Sequence, residues 1–385
     1  ELADTGCVEF LSETYAHSLA SLEDPDEFVA QVKDHDKKIF QLFGKHPVVF
    51  RNTELIYDDD ISAMVQNMGF KGVITEGAKH ILGWKSPNYV YSSPVAPKLK
   101  LLLKNSKLSD DISFRFSNPD WASYPLTADK YIDWIASLPE EEQLVNLFMN
   151  YETFGEMQPR ESGIFEFMKA LPRFAVEKGI EFFTPSEVIS KMKSVGEMPV
   201  MHPISWADEA RDTSAWLGNT LQQEAVKKLY SIGERVRLCQ DRRIKQDWYY
   251  LQASDHFFYM STKHNEDGSV HSHYSPYDSP YTAFTNYMNV LSDFMIRVQE
   301  QYPESIDNEE LNALLLTIRN QSNEISQLNR EVEMLRNNIV KDTTGDFPVD
   351  EPAAEEKPAK KAPSKKAPAA KKPAAKKTTK KTTKK

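Results

Sequence analysis

The sequence predicts an α/β architecture, barrel-like in its first part and wholly helical afterwards. Three observations carry this. Short apolar runs without alternation recur through the first 184 residues, as strands covered on both faces require. Amphipathic stretches with helix-start signals separate them, and repeated strand–helix–strand order implies a largely parallel sheet. Beyond residue 184 only helical periodicity remains. The 385 residues, 40% hydrophobic and 11% aromatic, suffice for one large domain or two ordinary ones.

Taken in order, the predicted strands are Val8–Leu11, Pro47–Arg51, Gly72–Ile74, Ile112–Phe116, Leu144–Met149 and Ile180–Phe183. A first helix carries Phe28, Val32, Ile39, Leu42 and Phe43 behind the start signal Asp24-Pro25-Asp26. A second carries Tyr131, Ile132, Trp134, Ile135 and Leu138, with Thr127 placed to cap it. The clearest later helical runs are Trp206–Leu238 and Tyr281–Gln301.

Leu311, Ile318, Ile325, Val332 and Ile339 then fall seven apart, with Leu314, Gln321, Leu328 and Leu335 three residues after the first four. β-Branched residues at a with Leu at d favour a two-stranded coil, which predicts self-association through residues 311–339. The plainer alternative is a helix lying on its own globular part. The closing segment holds no apolar residue other than Ala and Pro after Val349 and cannot offset its ordering entropy, so it is expected to be disordered. Its lysines suit contact with polyanions, or simply solvation. The expected organisation is a barrel-type part over 1–195, a helical domain over 196–305, a coiled-coil helix over 306–341 and a tail over 342–385.

Charge and composition narrow the function. Residues 351–385 carry 13 Lys against 3 Glu, so the net −10 divides into +10 there and −20 elsewhere. An acidic body argues against nucleic acid as its main partner, because phosphate binding needs concentrated Lys and Arg. No stretch approaches the ~20 uncharged apolar residues of a membrane span. Cys7 and Cys239 are too few for a disulfide framework or a four-cysteine zinc site, and suggest a reducing, cytoplasmic setting. His271-Ser272-His273, with His264 nearby, lacks a complete ligand set, so no metal and no cofactor is expected. The chain starts at Glu1, which reads as a start inside a longer sequence.

Reactive groups in α/β folds cluster past the carboxyl ends of parallel strands. That rule selects Arg51 to Glu54, Thr75 and Glu76, Asn150 to Glu152 with Glu156, and Glu9 with Glu13. Phosphate-binding glycine loops, nucleophile elbows and zinc-protease motifs are absent. A carboxylate-rich rim with Trp121, Tyr151 and Trp248 suits glycoside chemistry, where acids flank the bond and rings stack on sugars. Acidic loop residues are more often simply solvated.

Longer motifs sharpen the choice. Arg51-Asn52-Thr53-Glu54-Leu55-Ile56-Tyr57, Tyr151-Glu152-Thr153-Phe154-Gly155-Glu156 and Leu251-Gln252-Ala253-Ser254-Asp255-His256-Phe257 resemble glycoside hydrolase family 57, of the α-amylase type. Gly6-Cys7-Val8-Glu9-Phe10-Leu11, Ser205-Trp206-Ala207-Asp208-Glu209 and Trp216-Leu217-Gly218-Asn219 are similar to further segments of that family. The resemblance runs in order from residue 1 to about 300. It implies a (β/α)7 barrel followed by a helical domain, acting on α-1,4-glucans with retention of configuration.

By the same resemblance Glu54 matches the catalytic nucleophile, while Glu9, Glu152, Asp255 and His256 match positions lining the sugar site. Two departures stand out. Asn150 holds the place of the general-acid aspartate, and an amide transfers no proton at neutral pH. The His-Gln-Pro motif of the family's first strand is also absent, which fits a barrel with its first strand missing. Three functions therefore stay open at this point: an α-glucan-active enzyme with an impaired acid, a glucan-binding pseudoenzyme, or an assembly protein acting through its coiled coil and tail.

Overall fold

The computed structural model describes residues 1–263 and 275–301. The histidines 264, 271 and 273, the coiled-coil segment and the lysine-rich tail lie outside the described residues.

Val49–Arg51 (β1), Gly72–Glu76 (β2), Tyr91–Ser92 (β3) and Lys100–Lys104 (β4) form one sheet in the order β1-β2-β4-β3. β1 and β4 both run parallel to β2, with Phe50 opposite Val73 and Val73 opposite Leu101, while β3 is antiparallel to β4. All five residues of β2 are buried, as expected of a strand covered on both faces. Single parallel bridges extend the row on either side: Ser12 pairs with Phe50, and Asn146 with Lys104. The segment predicted at Leu144–Met149 thus touches the sheet through one bridge, whereas none of Val8–Leu11 pairs and the contact falls one residue later, at Ser12. The described pairings form this open row and do not close a ring.

Two predicted strands, Ile112–Phe116 and Ile180–Phe183, are corrected. Ile112–Phe116 spans the end of a helix, Ser106–Ser113, and the turn that follows it; Asn105 caps the helix start, its side chain accepting from the Leu108 amide at 3.0 Å. Leu108, Ile112 and Phe116 recur every four residues and all enter one buried cluster with Tyr131, Phe167 and Leu171. Reading Ile112–Phe116 alone hid that period. β4 escaped prediction because its three leucines are bracketed by lysines. Both lysines are satisfied inside: Lys100 Nζ donates to the Ile189 and Met192 carbonyls at 2.5 Å, and Lys104 Nζ to Asp110 at 3.3 Å. No strand forms at Ile180–Phe183.

The first predicted helix is Pro25–Phe43, with the Asp24 carboxylate accepting from the Glu27 amide at 3.0 Å and Pro25 in the first turn. Phe28 and Val32 are buried, but the last turn is not, and Phe43 stacks on Phe10 with ring centroids 3.9 Å apart. Thr127 stands at the N-cap of Ala128–Ala136 without a side-chain cap bond.

The later part is helical from Ser214 onward, so the predicted run from Trp206 opens as a loop. Pro280–Gln301 packs on Thr220–Tyr230 and Arg242–Leu251. It buries Tyr287, Leu291, Phe294 and Val298, one stripe at helical spacing. Each such side chain contributes about 1.5–3 kcal/mol by leaving water. The largest buried cluster joins strand residues Phe50, Val73 and Leu101 to helical Trp216, Leu229 and Phe294.

Candidate functional site

β1 ends at Arg51 and runs into a buried 3-10 turn, Thr53–Leu55. Within it Glu54 (φ 55°) and Leu55 (φ 53°) both occupy the left-handed region, which costs a non-glycine residue roughly 1–2 kcal/mol. Such strain persists only where the surroundings over-determine it. Here they do. Asn52 Nδ2 donates to Ser21 Oγ (2.8 Å) and to the Ile56 carbonyl (3.0 Å), the Thr53 and Thr14 hydroxyls share a hydrogen at 2.6 Å, and Thr75 donates to the Leu55 carbonyl (3.2 Å).

The turn presents the Glu54 carboxylate, 5% exposed, to donors at both oxygens. His17 Nε2 lies 3.0 Å and Ser254 Oγ 3.2 Å from Oε1, and the Trp206 indole Nε1–H donates to Oε2 at 2.5 Å. His17 is itself held with φ 50°, and its carbonyl accepts from the Ser254 amide at 2.9 Å. Burial works against the charged imidazole, but the hydrogen bond and charge of Glu54 outweigh it and hold His17 above the ordinary histidine range. Beside the pair, Arg51 Nη1 donates to Glu13 Oε2 at 3.0 Å.

Glu54, His17, Arg51 and Glu13 line a cleft of about 670 Å³, within the usual size of a small-ligand site. Asn150, Tyr151, Glu152 and Asp255 also line it. Asn150 and Glu152 flank Tyr151, which is 95% exposed, where Asn150 leads into the short 3-10 turn Tyr151–Thr153. Thus Glu54, Asn150, Glu152 and Asp255 come together.

Glu9, His256 and Trp121 stand elsewhere, as does Trp248, buried in the main apolar cluster and stacked on Phe294. Glu9 Oε2 accepts from the Ser186 amide at 2.8 Å, tying the N-terminal segment to the helix Pro185–Lys191. His256 turns its Nε2 to the Tyr250 carbonyl (2.9 Å) and its ring to Tyr287, and burial pushes its pKa down. Trp121 lines a separate cleft with Trp134, the two rings edge-to-face at 6.1 Å. Sequence reasoning gave no role to His17, Ser254 or Trp206, all of which touch Glu54. Ser254 and Trp206 lay inside quoted motifs. His17 had no signal, because its reach depends on a left-handed turn no pattern displays. Among the described residues, no three His, Cys, Asp or Glu side chains converge as a metal site.

A buried carboxylate past the end of a parallel strand, within a cleft rich in acids and amides, defines a carboxylate-centred α/β site. The profile of Glycosyl hydrolase family 57 matches residues 1–201, and the chain belongs to that family. It is 44% identical over 317 residues to a Methanocaldococcus jannaschii protein named "Putative alpha-amylase", covering 79% of this chain and 67% of the relative. Two solved structures share the fold. The family 57 branching enzyme of Pyrococcus horikoshii aligns with TM-score 0.55 at 16% identity, over 80% of this chain and 72% of its own. The 4-α-glucanotransferase of Thermococcus litoralis aligns with TM-score 0.58 at 14% identity, over 79% and 50%.

Proposed function

We propose that the chain is an α-glucan-active protein of the amylase type, with Glu54 as the nucleophile of a retaining double displacement. The observation that carries this is the Glu54 carboxylate, fixed at both oxygens by His17, Ser254 and Trp206 against a cleft of about 670 Å³. Donors at both oxygens complement a negative carboxylate, the form that attacks an anomeric carbon. In the first step a Glu54 oxygen bonds to that carbon while its bond to the leaving oxygen breaks. The leaving alkoxide takes up a proton. In the second step water displaces Glu54 and gives up a proton. The parallel β1-β2-β4 row would be part of the (β/α)7 barrel of the family.

Asn150 occupies the place where the family resemblance puts the proton donor. Losing general acid catalysis costs about 10²–10⁴ in rate, and a sugar alkoxide needs the proton badly. Native glucan is therefore expected to be cleaved slowly. This same residue favours a second reading, a protein that holds α-glucan without cleaving it. The test is hydrolysis of maltoheptaose by the chain and by Asn150→Asp. The proposed function requires a gain of at least 10-fold, within the range above. No gain, with maltoheptaose still bound, leaves the binding reading in its place.

A further inference from the structure

We infer that Arg211 is a positioning residue that seats the Trp206 indole on the Glu54 carboxylate, anchored in turn by Asp110 and Lys104. The inference rests on reading Glu54 as the reacting carboxylate.

The loop between Ile204 and Ser214 carries Trp206 and is drawn into a ring. The Ser205 amide donates to the Arg211 carbonyl at 3.1 Å, and the Ser205 hydroxyl to the Asp212 carbonyl at 2.5 Å. Asp208 (φ 43°) and Arg211 (φ 50°) both take left-handed backbone in this ring, a strain that needs outside support. Arg211 supplies it. Its Nη1 donates to the Trp206 carbonyl, while its Nη2 donates to Asp110 Oδ2 at 3.4 Å. The rigid planar guanidinium holds the two acceptors at a fixed separation, which the single ammonium of a lysine on a flexible stem does not.

Asp110 lies on the helix Ser106–Ser113, and its other oxygen accepts from Lys104 Nζ at the end of β4. Lys104 also pairs at 3.8 Å with Glu76, fully buried at the end of β2. Burial pushes Glu76 above the ordinary carboxylate range, and the charges of Lys104 and Arg211 oppose that rise. Hence a continuous row of buried and half-buried charges connects the sheet, through Arg211, to the backbone of the residue whose side chain holds Glu54. From the other side the Trp206 amide meets the Glu54 carbonyl at 3.4 Å. Without Arg211 the loop keeps its own ring, the Ile204–Tyr57 bridge and the Lys263–Asp208 pair but loses its link to Asp110, and the Trp206 indole is held less firmly on Oε2. A displacement of 1 Å at such a site can cost about 10²-fold in rate.

The test is an NMR spectrum of the indole N–H groups of the full chain labelled on its six tryptophans. Trp206→Phe assigns the Trp206 resonance, and Glu54→Gln must move it, because the charged acceptor is replaced by an amide. Arg211→Ala is expected to shift that resonance towards the position of a free indole while the others stay. Arg211→Lys should restore it only in part. Asp110→Asn is the second variant, expected to move it in the same direction should Arg211→Ala fail to fold. In parallel, kcat/KM on α-maltosyl fluoride, which reports the loading of Glu54, should fall about 10–10²-fold in Arg211→Ala. A Trp206 resonance unmoved by folded Arg211→Ala and by Asp110→Asn overturns the inference. A moved resonance with unchanged turnover overturns the positioning role, whereas unchanged turnover in Glu54→Gln removes Glu54 from the chemistry, so the two failures are separable.

Discussion

Glu54 concentrates the features of the site: left-handed backbone, near-complete burial, and donors at both carboxylate oxygens. Glu54→Gln keeps the size and one acceptor oxygen, so it should fold normally. Its turnover of α-maltosyl fluoride should nevertheless fall by more than about 10³-fold, and near-normal turnover would dismiss the nucleophile role. His17 supplies a pH signature. Its folded pKa is raised, so its pairing with Glu54 adds stability that is complete below the ordinary histidine value near 6.5 and is lost as pH rises through the raised value. Denaturant unfolding from pH 5 to 9 should therefore show a loss on the alkaline side that His17→Gln flattens. An identical profile for both chains would mean that the imidazole titrates alike folded and unfolded. His35 and His256, both lowered by burial, contribute with the opposite sign and are common to both chains.

What was legible at this scale was position along the chain, not direction. Asp255 and His256 are neighbours in one short helix, Ser254–Phe258, where successive side chains diverge by roughly 100°. Asp255 lines the cleft, so His256 faces the Tyr250 carbonyl. The motif that named both residues contains no such information. His17 was illegible for the converse reason, since a left-handed turn without glycine has no compositional mark.

Among the elements, the helix Pro280–Gln301 makes the most direct claim about packing. Leu291 is fully buried in its inner stripe, whereas Ile296 is 58% exposed. Leu291→Ala should cost about 2–5 kcal/mol in denaturant unfolding, and Ile296→Ala within about 0.5 kcal/mol. Equal costs would contradict the assigned face. The start of Pro25–Phe43 was readable because Asp24 and Pro25 act locally. By contrast, β4 and the helix Ser106–Ser113 were misread for tertiary reasons. Lys100 and Lys104 look like loop residues until the carbonyls and carboxylates that satisfy them are placed, and the Leu108–Ile112–Phe116 period spans more residues than the apolar run inspected.

At the scale of the whole molecule, the cleft draws Glu54 and Asn150 from the sheet-bearing part and Asp255 from the helical part. One buried cluster spans both, which is how residues 200 positions apart, Glu54 and Ser254, come to lie 3.2 Å apart. An α/β sheet followed by helices was legible from periodicity, whereas the barrel came only with the family resemblance. The central claim is that Glu54 forms a covalent bond to sugar, and Asn150 makes it directly observable. Fluoride leaves without a proton, so α-maltosyl fluoride can load the chain, while water attack lacks a base to assist it. The measurement is intact-protein mass after mixing with α-maltosyl fluoride, followed by peptide mapping. One maltosyl unit esterified to Glu54, absent in Glu54→Gln, is the expected result. A maltosyl ester on Glu152 or Asp255 instead, or none under conditions where fluoride is released, would contradict it.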